Sequence, residues 1–202
     1  MSAHLRNEGS GAVRAASHEA TGRPPRRVLL RRGLAAAITL LSPIVAHPAL
    51  AARTNAPARL AFYNTHTAER IEVVYRDASG YVPDALAAIA QVLRDHRNDA
   101  VKAIDPDLLD QLHRIGTTLD AAQPFHVISG YRSPETNAKL AAASGGVARH
   151  SLHLEGRAID IRLPGRPLAD LHRVALELRA GGVGRYVASD FIHIDTGRVR
   201  TW

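Results

Sequence analysis

Apolar residues recur along the chain with two periods, and these periods predict where strands and helices lie. Residues 60–63 and 71–75 are rich in β-branched and aromatic side chains and are separated by a polar segment, which indicates a hairpin. After the break at Gly80, apolar residues fall at i, i+3, i+4 and i+7 and predict an amphipathic helix; they are Leu86, Ile89, Ala90 and Leu93. Asp84 is the expected cap of this helix.

A second helix is predicted from residue 106. Asp105 is a good N-cap, Pro106 suits the first helical position, and one apolar stripe follows; it consists of Leu108, Leu112, Ile115 and Leu119. After residue 124 the pattern changes to short strands joined by polar loops, with two further helices. Strands are predicted at 125–129, 158–163, 183–187 and 191–195, and helices from 134 to about 142, ended by Gly145-Gly146, and at 167–180, closed by Gly181-Gly182. This order predicts an α+β fold, with helices packed on one side of a small antiparallel sheet.

Composition excludes several classes of site. The chain has 202 residues, 46% of them hydrophobic, which is enough for a real core and argues against a disordered protein. It contains no cysteine. A disulfide scaffold, a cysteine-ligated zinc site, an iron–sulfur cluster and a thiol nucleophile are therefore excluded.

The basic excess lies mostly in the first quarter of the chain. The formal net charge is +7, and residues 1–51 account for +5 of it, with seven arginines and two acids. The remaining residues carry only +2, and all nine aromatic residues are among them. We therefore expect no nucleic-acid partner, although so basic a chain would ordinarily suggest one.

Residues 1–51 have the features of an export signal. An arginine-rich stretch precedes the apolar run 33–45, and the small-x-small site Ala49-Leu50-Ala51 predicts cleavage after Ala51. The run is too short to cross a bilayer, so no stable membrane span is expected after cleavage. Arg31-Arg32 resembles a twin-arginine signal, with an ordinary secretory signal as the alternative. We expect a periplasmic protein with a linker at 52–58 and one domain at 59–202.

Two histidines and an aspartate are the candidate metal ligands. Six residues separate His153 from Asp160, and His193 follows within a predicted strand. Two imidazoles and one carboxylate, with a fourth position left for water, are typical of catalytic zinc. Spacing alone leaves open the alternative that these histidines are ordinary hydrogen-bonding groups.

Several phrases of the second half resemble a known group of zinc peptidases. The stretch from Ser151 to Asp160 has the form SxHxxGxAxD and resembles the first metal motif of the D-Ala-D-Ala metallopeptidases. Those enzymes belong to a zinc group that also includes lysostaphin-type peptidases and the hedgehog domain. More narrowly, the chain resembles the murein endopeptidases of the peptidase M15-like family over about residues 59–202. Further matching phrases are 93–96, 128–137, 181–184 and 191–202.

The resemblance implies a hedgehog-like or D-Ala-D-Ala-peptidase-like fold and a function. One Zn²⁺ per chain would be held by His153, Asp160 and His193, and metal-activated water would hydrolyse amide bonds in peptidoglycan peptide stems or cross-links. Arg132 occupies the place of an arginine that contacts substrate and the developing oxyanion. Ser151 is expected either to contact substrate or to cap a turn.

The general base has two candidates. In the D-Ala-D-Ala enzymes a glutamate lies three residues before the last ligand, and Asp190 occupies that position here. Asp195 is the rival, because residues two apart share one face of a strand and it should lie beside His193. Its alternative role is to orient a ligand imidazole.

The resemblance leaves the exact activity open. A D,D- or L,D-carboxypeptidase of the same fold, or a non-catalytic zinc-containing cell-wall-binding module, are the alternatives to an endopeptidase. Which cross-link is cut, 4-3 or 3-3, is also open. A monomer is expected.

Overall fold

The computed structural model describes residues 56–143 and 148–202. The expected export signal at 1–51, its cleavage site and the glycine pair Gly145-Gly146 lie outside the described residues. Within the described part of the chain, no helix has the length and apolar character needed to span a membrane.

The predicted hairpin is confirmed at the start of the domain. Strands β1 (Ala58–Asn64) and β2 (Arg70–Asp77) pair antiparallel, with Leu60 opposite Val73. A two-residue strand, β3 (Gly80–Tyr81), adds to the outer edge of β2 and was not predicted, since two residues are too few to show a period.

Four helices lie in the described residues, close to their predicted positions. They are α1 (Pro83–Val92), α2 (Pro106–Thr118), α3 (Pro134–Ala143) and α4 (Leu168–Leu178). Asp105 is confirmed as the N-cap of α2, because its side chain accepts a hydrogen bond from the backbone N–H of Asp107. The expected cap of α1 was wrong: Val82 is its N-cap residue, without a side-chain bond, and Asp84 lies in the first turn.

The end of α4 also differs from the prediction. The helix stops at Leu178, and Arg179 takes the left-handed conformation with φ 50°. The expected closing pair Gly181-Gly182 lies beyond this turn, and Gly182 already belongs to the next strand.

The sheet is larger than predicted and mixed. The remaining strands are β4 (Phe125–Ser129), β5 (Ala158–Arg162), β6 (Gly182–Tyr186), β7 (Phe191–Asp195) and β8 (Arg200–Thr201). Their order is β3-β2-β1-β4-β5-β7-β6-β8. The pairs β1–β4 and β6–β8 are parallel and the others antiparallel. The α+β class is confirmed, whereas the small, purely antiparallel sheet is corrected to eight strands with two parallel pairs.

The two faces of the sheet have different chemistry. Ile161 and Ile192 are opposite each other on β5 and β7 and belong to the apolar core, to which α1, α2 and α4 contribute. Successive side chains of a strand point to opposite faces. Asp160 and His193 are the next cross-strand pair, so they project from the other face of the sheet. The site is therefore built on the side of the sheet opposite the core.

Candidate metal centre

Three buried side chains converge on the polar face of the sheet. His153 lies in a 3₁₀ turn at Leu152–Glu155, and Asp160 and His193 lie opposite each other on β5 and β7. One ligand atom from each residue lies within 4.8 Å of the other two. Among the described residues, these three side chains form a group whose geometry allows them to hold a metal ion.

The turn that carries His153 depends on Ser151 and Gly156. The Ser151 hydroxyl accepts a hydrogen bond from the backbone N–H of His153 at 3.4 Å, which caps the turn. Gly156 ends the turn with φ 69°, and a Cβ at this position would overlap the carbonyl oxygen of Ala103. Glycine is required here both for the left-handed backbone and for the close approach. Of the two roles expected for Ser151, the structure shows the cap.

The outer nitrogens of both imidazoles are occupied by acceptors. Nδ1 of His153 lies 2.7 Å from the carbonyl oxygen of Gly130, and Nε2 of His193 lies 3.0 Å from Oδ2 of Asp195. A carbonyl or carboxylate oxygen only accepts, so these outer nitrogens carry the hydrogens. In the neutral imidazoles, Nε2 of His153 and Nδ1 of His193 therefore present lone pairs toward Asp160.

Electron-rich atoms thus face one another at the centre of the cluster. Oδ1 of Asp160 lies 2.9 Å from Nδ1 of His193 and 3.3 Å from Nε2 of His153, and the two nitrogens are 3.2 Å apart. Two nitrogen lone pairs and a carboxylate oxygen at these distances need a positive charge between them. Nitrogen and oxygen donors in this number suit a zinc ion with one position left open.

The pKa values of Asp160 and His193 are shifted by burial and by the charged groups beside them. Burial by itself raises the pKa of Asp160, but the adjacent imidazoles of His153 and His193, which favour its ionised form when they are protonated, outweigh burial and hold the pKa well below its usual value. Burial lowers the pKa of His193, yet the carboxylates of Asp160 and Asp195 favour the protonated imidazole and raise the pKa overall, so a proton competes with a metal ion for Nδ1. The carboxylate of Asp160 is therefore ionised, as metal binding requires.

Asp195 is fully buried and its oxygens are occupied. Besides His193, its carboxylate accepts hydrogen bonds from the backbone N–H groups of Gly182 and Gly197, at 2.9 and 2.8 Å. The guanidinium of Arg200 donates to both oxygens, at 3.0 and 2.6 Å. Although burial raises the pKa of Asp195, these bonds lower it well below the usual range.

Asp190, the other candidate base, lies elsewhere. It follows a short 3₁₀ turn in a left-handed conformation, and its exposed carboxylate pairs with Arg162 at 3.6 Å. It lines a neighbouring cavity together with His126 and Arg162 and does not line the cavity of the metal cluster. The structure brings Asp195 to the cluster and leaves Asp190 outside it.

Arg132 borders the cluster from the exit of β4. Its Nη2 lies 3.8 Å from Oδ2 of Asp160, while Nη1 donates to Asn137 at 3.3 Å and Nη2 to Ser129 at 3.4 Å. Its Nε is buried without a hydrogen-bond partner. The backbone N–H of Arg132 also donates to the carbonyl of His153, which joins the two segments.

Two buried residues that support this border were missed by the sequence analysis. The carboxylate of Asp95 accepts hydrogen bonds from the backbone N–H groups of Ser133 and Arg97. Asn137 holds Arg132 and also donates to the carbonyls of Ala148 and Arg149. Asp95 lies in one of the matching phrases, but its partner is 38 residues away and no local pattern reveals that contact.

An open cavity of about 430 Å³ lies over the cluster formed by His153, Asp160 and His193. Arg132, His150 and Ser151 line it, and so does a group of aromatic and basic residues beside His193. This group consists of Tyr186, Phe191, Arg200 and Trp202. No role was predicted for these four residues. Tyr186 lies on β6, Arg200 lies on β8 and Trp202 follows β8, and the pairing that brings these strands to the cavity is set by the fold.

Comparisons with known proteins show the family of the chain. The family model described as peptidoglycan L,D-endopeptidase MepK matches residues 52–202. The peptidoglycan L,D-endopeptidase MepK of Escherichia coli (strain K12) is 43% identical over 178 residues, which cover 88% of this chain and 96% of that protein. The probable peptidoglycan L,D-endopeptidase MepK of Haemophilus influenzae is 43% identical over 150 residues, 74% of this chain and 81% of that protein.

Proposed function

Because the chain belongs to the peptidoglycan L,D-endopeptidase MepK family, we propose that it is a zinc-dependent endopeptidase that hydrolyses amide bonds in peptidoglycan peptide stems or cross-links. The observation that carries this proposal is the convergence of His153, Asp160 and His193 at the floor of an open cavity. Three protein ligands and an open side are the arrangement of a catalytic zinc site, whereas structural zinc sites usually have four protein ligands.

The residues present fit one zinc ion. Nε2 of His153, a carboxylate oxygen of Asp160 and Nδ1 of His193 would hold it, since these atoms face one another and the outer nitrogens are already occupied. When bound, zinc supplies Lewis-acid polarisation of a carbonyl and lowers the pKa of a water molecule toward neutrality.

Asp195 orients His193. Its carboxylate holds the hydrogen on Nε2 and so leaves Nδ1 free to bind metal, and its other bonds come from Arg200 and two backbone N–H groups. A carboxylate that is fully buried and accepts this many hydrogen bonds has no oxygen left to take a proton from water. This arrangement supports the orienting role over the general-base role.

Arg132 binds the substrate. It is a permanent cation at the edge of the cluster, and it lines the open cavity above the three candidate ligands. A planar guanidinium suits a peptide carboxylate and the negative charge that develops on a carbonyl oxygen during hydrolysis. Asn137 and Ser129 hold it in place.

A peptidoglycan substrate supports a location outside the cytoplasm. The expected signal at 1–51, with Arg31-Arg32 and cleavage after Ala51, supports export to the periplasm by the twin-arginine route. After cleavage the domain carries a net charge of only +2, so recognition of the wall depends on the cavity more than on general attraction.

Digestion of defined substrates tests the proposal. Purified protein with zinc, incubated with cross-linked muropeptide dimers, should convert them to monomers, and a chelator should stop the reaction; mass spectrometry identifies the products. Release of a single terminal residue would instead identify a carboxypeptidase. Zinc binding without any cleavage would identify a binding module.

His153→Ala is the matching variant. It removes one of three zinc ligands, so we expect bound zinc to be lost and kcat/KM to fall on the order of 10³-fold. His113→Ala is the control, because His113 lies on α2 and does not line the cavity. Full activity of the His153 variant on muropeptides would overturn the proposed function.

A further inference from the structure

An aromatic side chain stands exposed beside the metal cluster. The ring of Trp202 lies 5.3 Å from the ring of His193 and lines the same cavity, and half of the residue is accessible to solvent. The order of strands places β4, which leads into Arg132, and β8, which leads into Trp202, on opposite sides of the β5–β7 pair. Arg132 and Trp202 therefore lie on opposite sides of the three candidate ligands. Arg132 provides a cation on one side, and Trp202 provides an aromatic ring on the other.

Trp202 is held in position although it is exposed. Its backbone N–H donates to the carbonyl of Val183, and its carbonyl accepts from the backbone N–H of Arg185. Its indole N–H donates to the hydroxyl of Tyr186 at 2.9 Å. Beneath the ring lies Gly184, where a Cβ would come within 2.5 Å of the indole. The fold thus leaves space for this ring and orients it before any ligand arrives.

The surface that this ring offers is hydrocarbon. The indole N–H is already bonded to Tyr186, and the Tyr186 ring stacks on Phe191 with centroids 4.6 Å apart. Arg200 lies 4.9 Å from the indole ring, but its guanidinium is paired with Asp195. The indole ring therefore offers its carbon atoms, against which methylene groups pack well, while the Tyr186 hydroxyl keeps one hydrogen to donate.

We propose that Trp202 and Tyr186 form a subsite for the methylene chain of the cross-linking diamino acid next to the scissile amide. The subsite rests on the proposed function, because it takes the substrate to be a peptide cross-link of peptidoglycan. The subsite lies beside His193, on the side of the three candidate ligands away from Arg132. It would therefore select which amino acid of the substrate can lie next to the amide that is cleaved.

Tryptophan fluorescence detects occupation of this subsite directly. The chain contains a single tryptophan, so all tryptophan emission comes from Trp202. On rapid mixing of the zinc-loaded protein with a cross-linked muropeptide dimer, we expect the emission to change, with a saturable dependence on concentration, before products appear. The peptide-free disaccharide of the glycan strand should leave the emission unchanged. A saturable change with the disaccharide would show a sugar subsite and overturn the proposal.

Steady-state kinetics test the same subsite in a second way. Trp202→Ala should raise KM for the dimer about tenfold while kcat changes by less than about twofold, because the ring contributes binding and takes no part in the chemistry. Trp202→Phe should restore much of the loss. Val101→Ala is the control, since Val101 is equally exposed at 50% and lies away from the cavity.

Outcomes separate this subsite from the proposed function. An unchanged KM in Trp202→Ala, with cleavage still abolished in His153→Ala, would refute the subsite and leave the function intact. Cleavage by His153→Ala would refute the function itself. If Trp202→Ala fails to fold, Gly184→Ala displaces the ring instead and should raise KM in the same direction, and the fluorescence experiment needs no variant.

Discussion

At the scale of single residues, Asp195 shows how far a local pattern leads. Its spacing from His193 places both on one face of a strand, and this relation is visible in the sequence. Its role depends on Gly182, from β6, and on Gly197 and Arg200, which follow it closely in the chain, because these groups fill its oxygens. The sequence left open whether Asp195 is the general base or orients His193. A carboxylate whose oxygens already accept several hydrogen bonds is a poor proton acceptor, so the contacts favour the orienting role.

Asp195→Asn tests the orienting role. The amide has nearly the same shape but no charge, and it holds the hydrogen on Nε2 of His193 less strongly. We expect zinc affinity to fall about 10- to 100-fold, measured by competition with a chromophoric chelator. Asp190→Asn is the control and should bind zinc as the unmodified protein does, since Asp190 is exposed and paired with Arg162.

Two results would contradict these roles. Unchanged zinc affinity in Asp195→Asn would show that the carboxylate does not orient the ligand. Loss of cleavage with zinc still bound in Asp190→Asn would restore Asp190 as the general base. Melting temperatures of both variants separate these effects from unfolding, because Asp195 also holds Arg200 and two backbone N–H groups.

At the scale of elements, the start of α2 is fastened to the segment that follows β7. Asp105 caps the helix, and its carboxylate also accepts a hydrogen bond from the Thr196 hydroxyl at 2.7 Å and lies 3.6 Å from Arg157. The Asp-Pro pair predicts the cap, because capping is a local interaction. The bond to Thr196 joins residues 91 positions apart and depends on the packed fold.

Asp105→Ala should therefore destabilise the domain more than an ordinary surface change. Loss of an N-cap costs about 1–2 kcal/mol in free energy of unfolding, and urea denaturation measures it. Asp84→Ala is the matched control, because Asp84 lies in the first turn of α1 without capping it, and it should cost less than about 0.5 kcal/mol. Equal losses in the two variants would contradict the assignment of the caps.

At the scale of the whole molecule, the basic charge and the candidate site belong to different regions of the chain. The described domain has one sheet whose apolar face carries the core and whose opposite face carries the candidate ligands His153, Asp160 and His193. The arginine-rich region before it accounts for most of the basic excess. Most of the net charge of +7 therefore lies in the proposed export signal and not in the domain that carries the candidate site.

A second arginine pair, Arg26-Arg27, precedes Arg31-Arg32, and replacing all four arginines by lysine tests the proposed export route. Lysine keeps the charge but lacks the planar guanidinium, so a receptor that recognises paired arginines should fail to bind it. We expect the uncleaved precursor to accumulate in the cytoplasm, measured by cell fractionation and by the size of the protein on a blot. Unchanged amounts of cleaved protein in the periplasm would instead support an ordinary secretory signal.

The sequence by itself determined the α+β class, most of the helices and strands, the cap at Asp105, and which histidines and aspartate are candidate ligands. These features depend on neighbours along the chain, through strand and helix periods, capping and a motif of ten residues. Only the tertiary structure decided the mixed eight-stranded sheet, the convergence of His153, Asp160 and His193, the filled oxygens of Asp195 and the place of Trp202. The physical reason is that strand pairing joins residues far apart along the chain, and that even contacts between nearby residues, such as Asp195 and Arg200, depend on distances that are set when the sheet and core assemble.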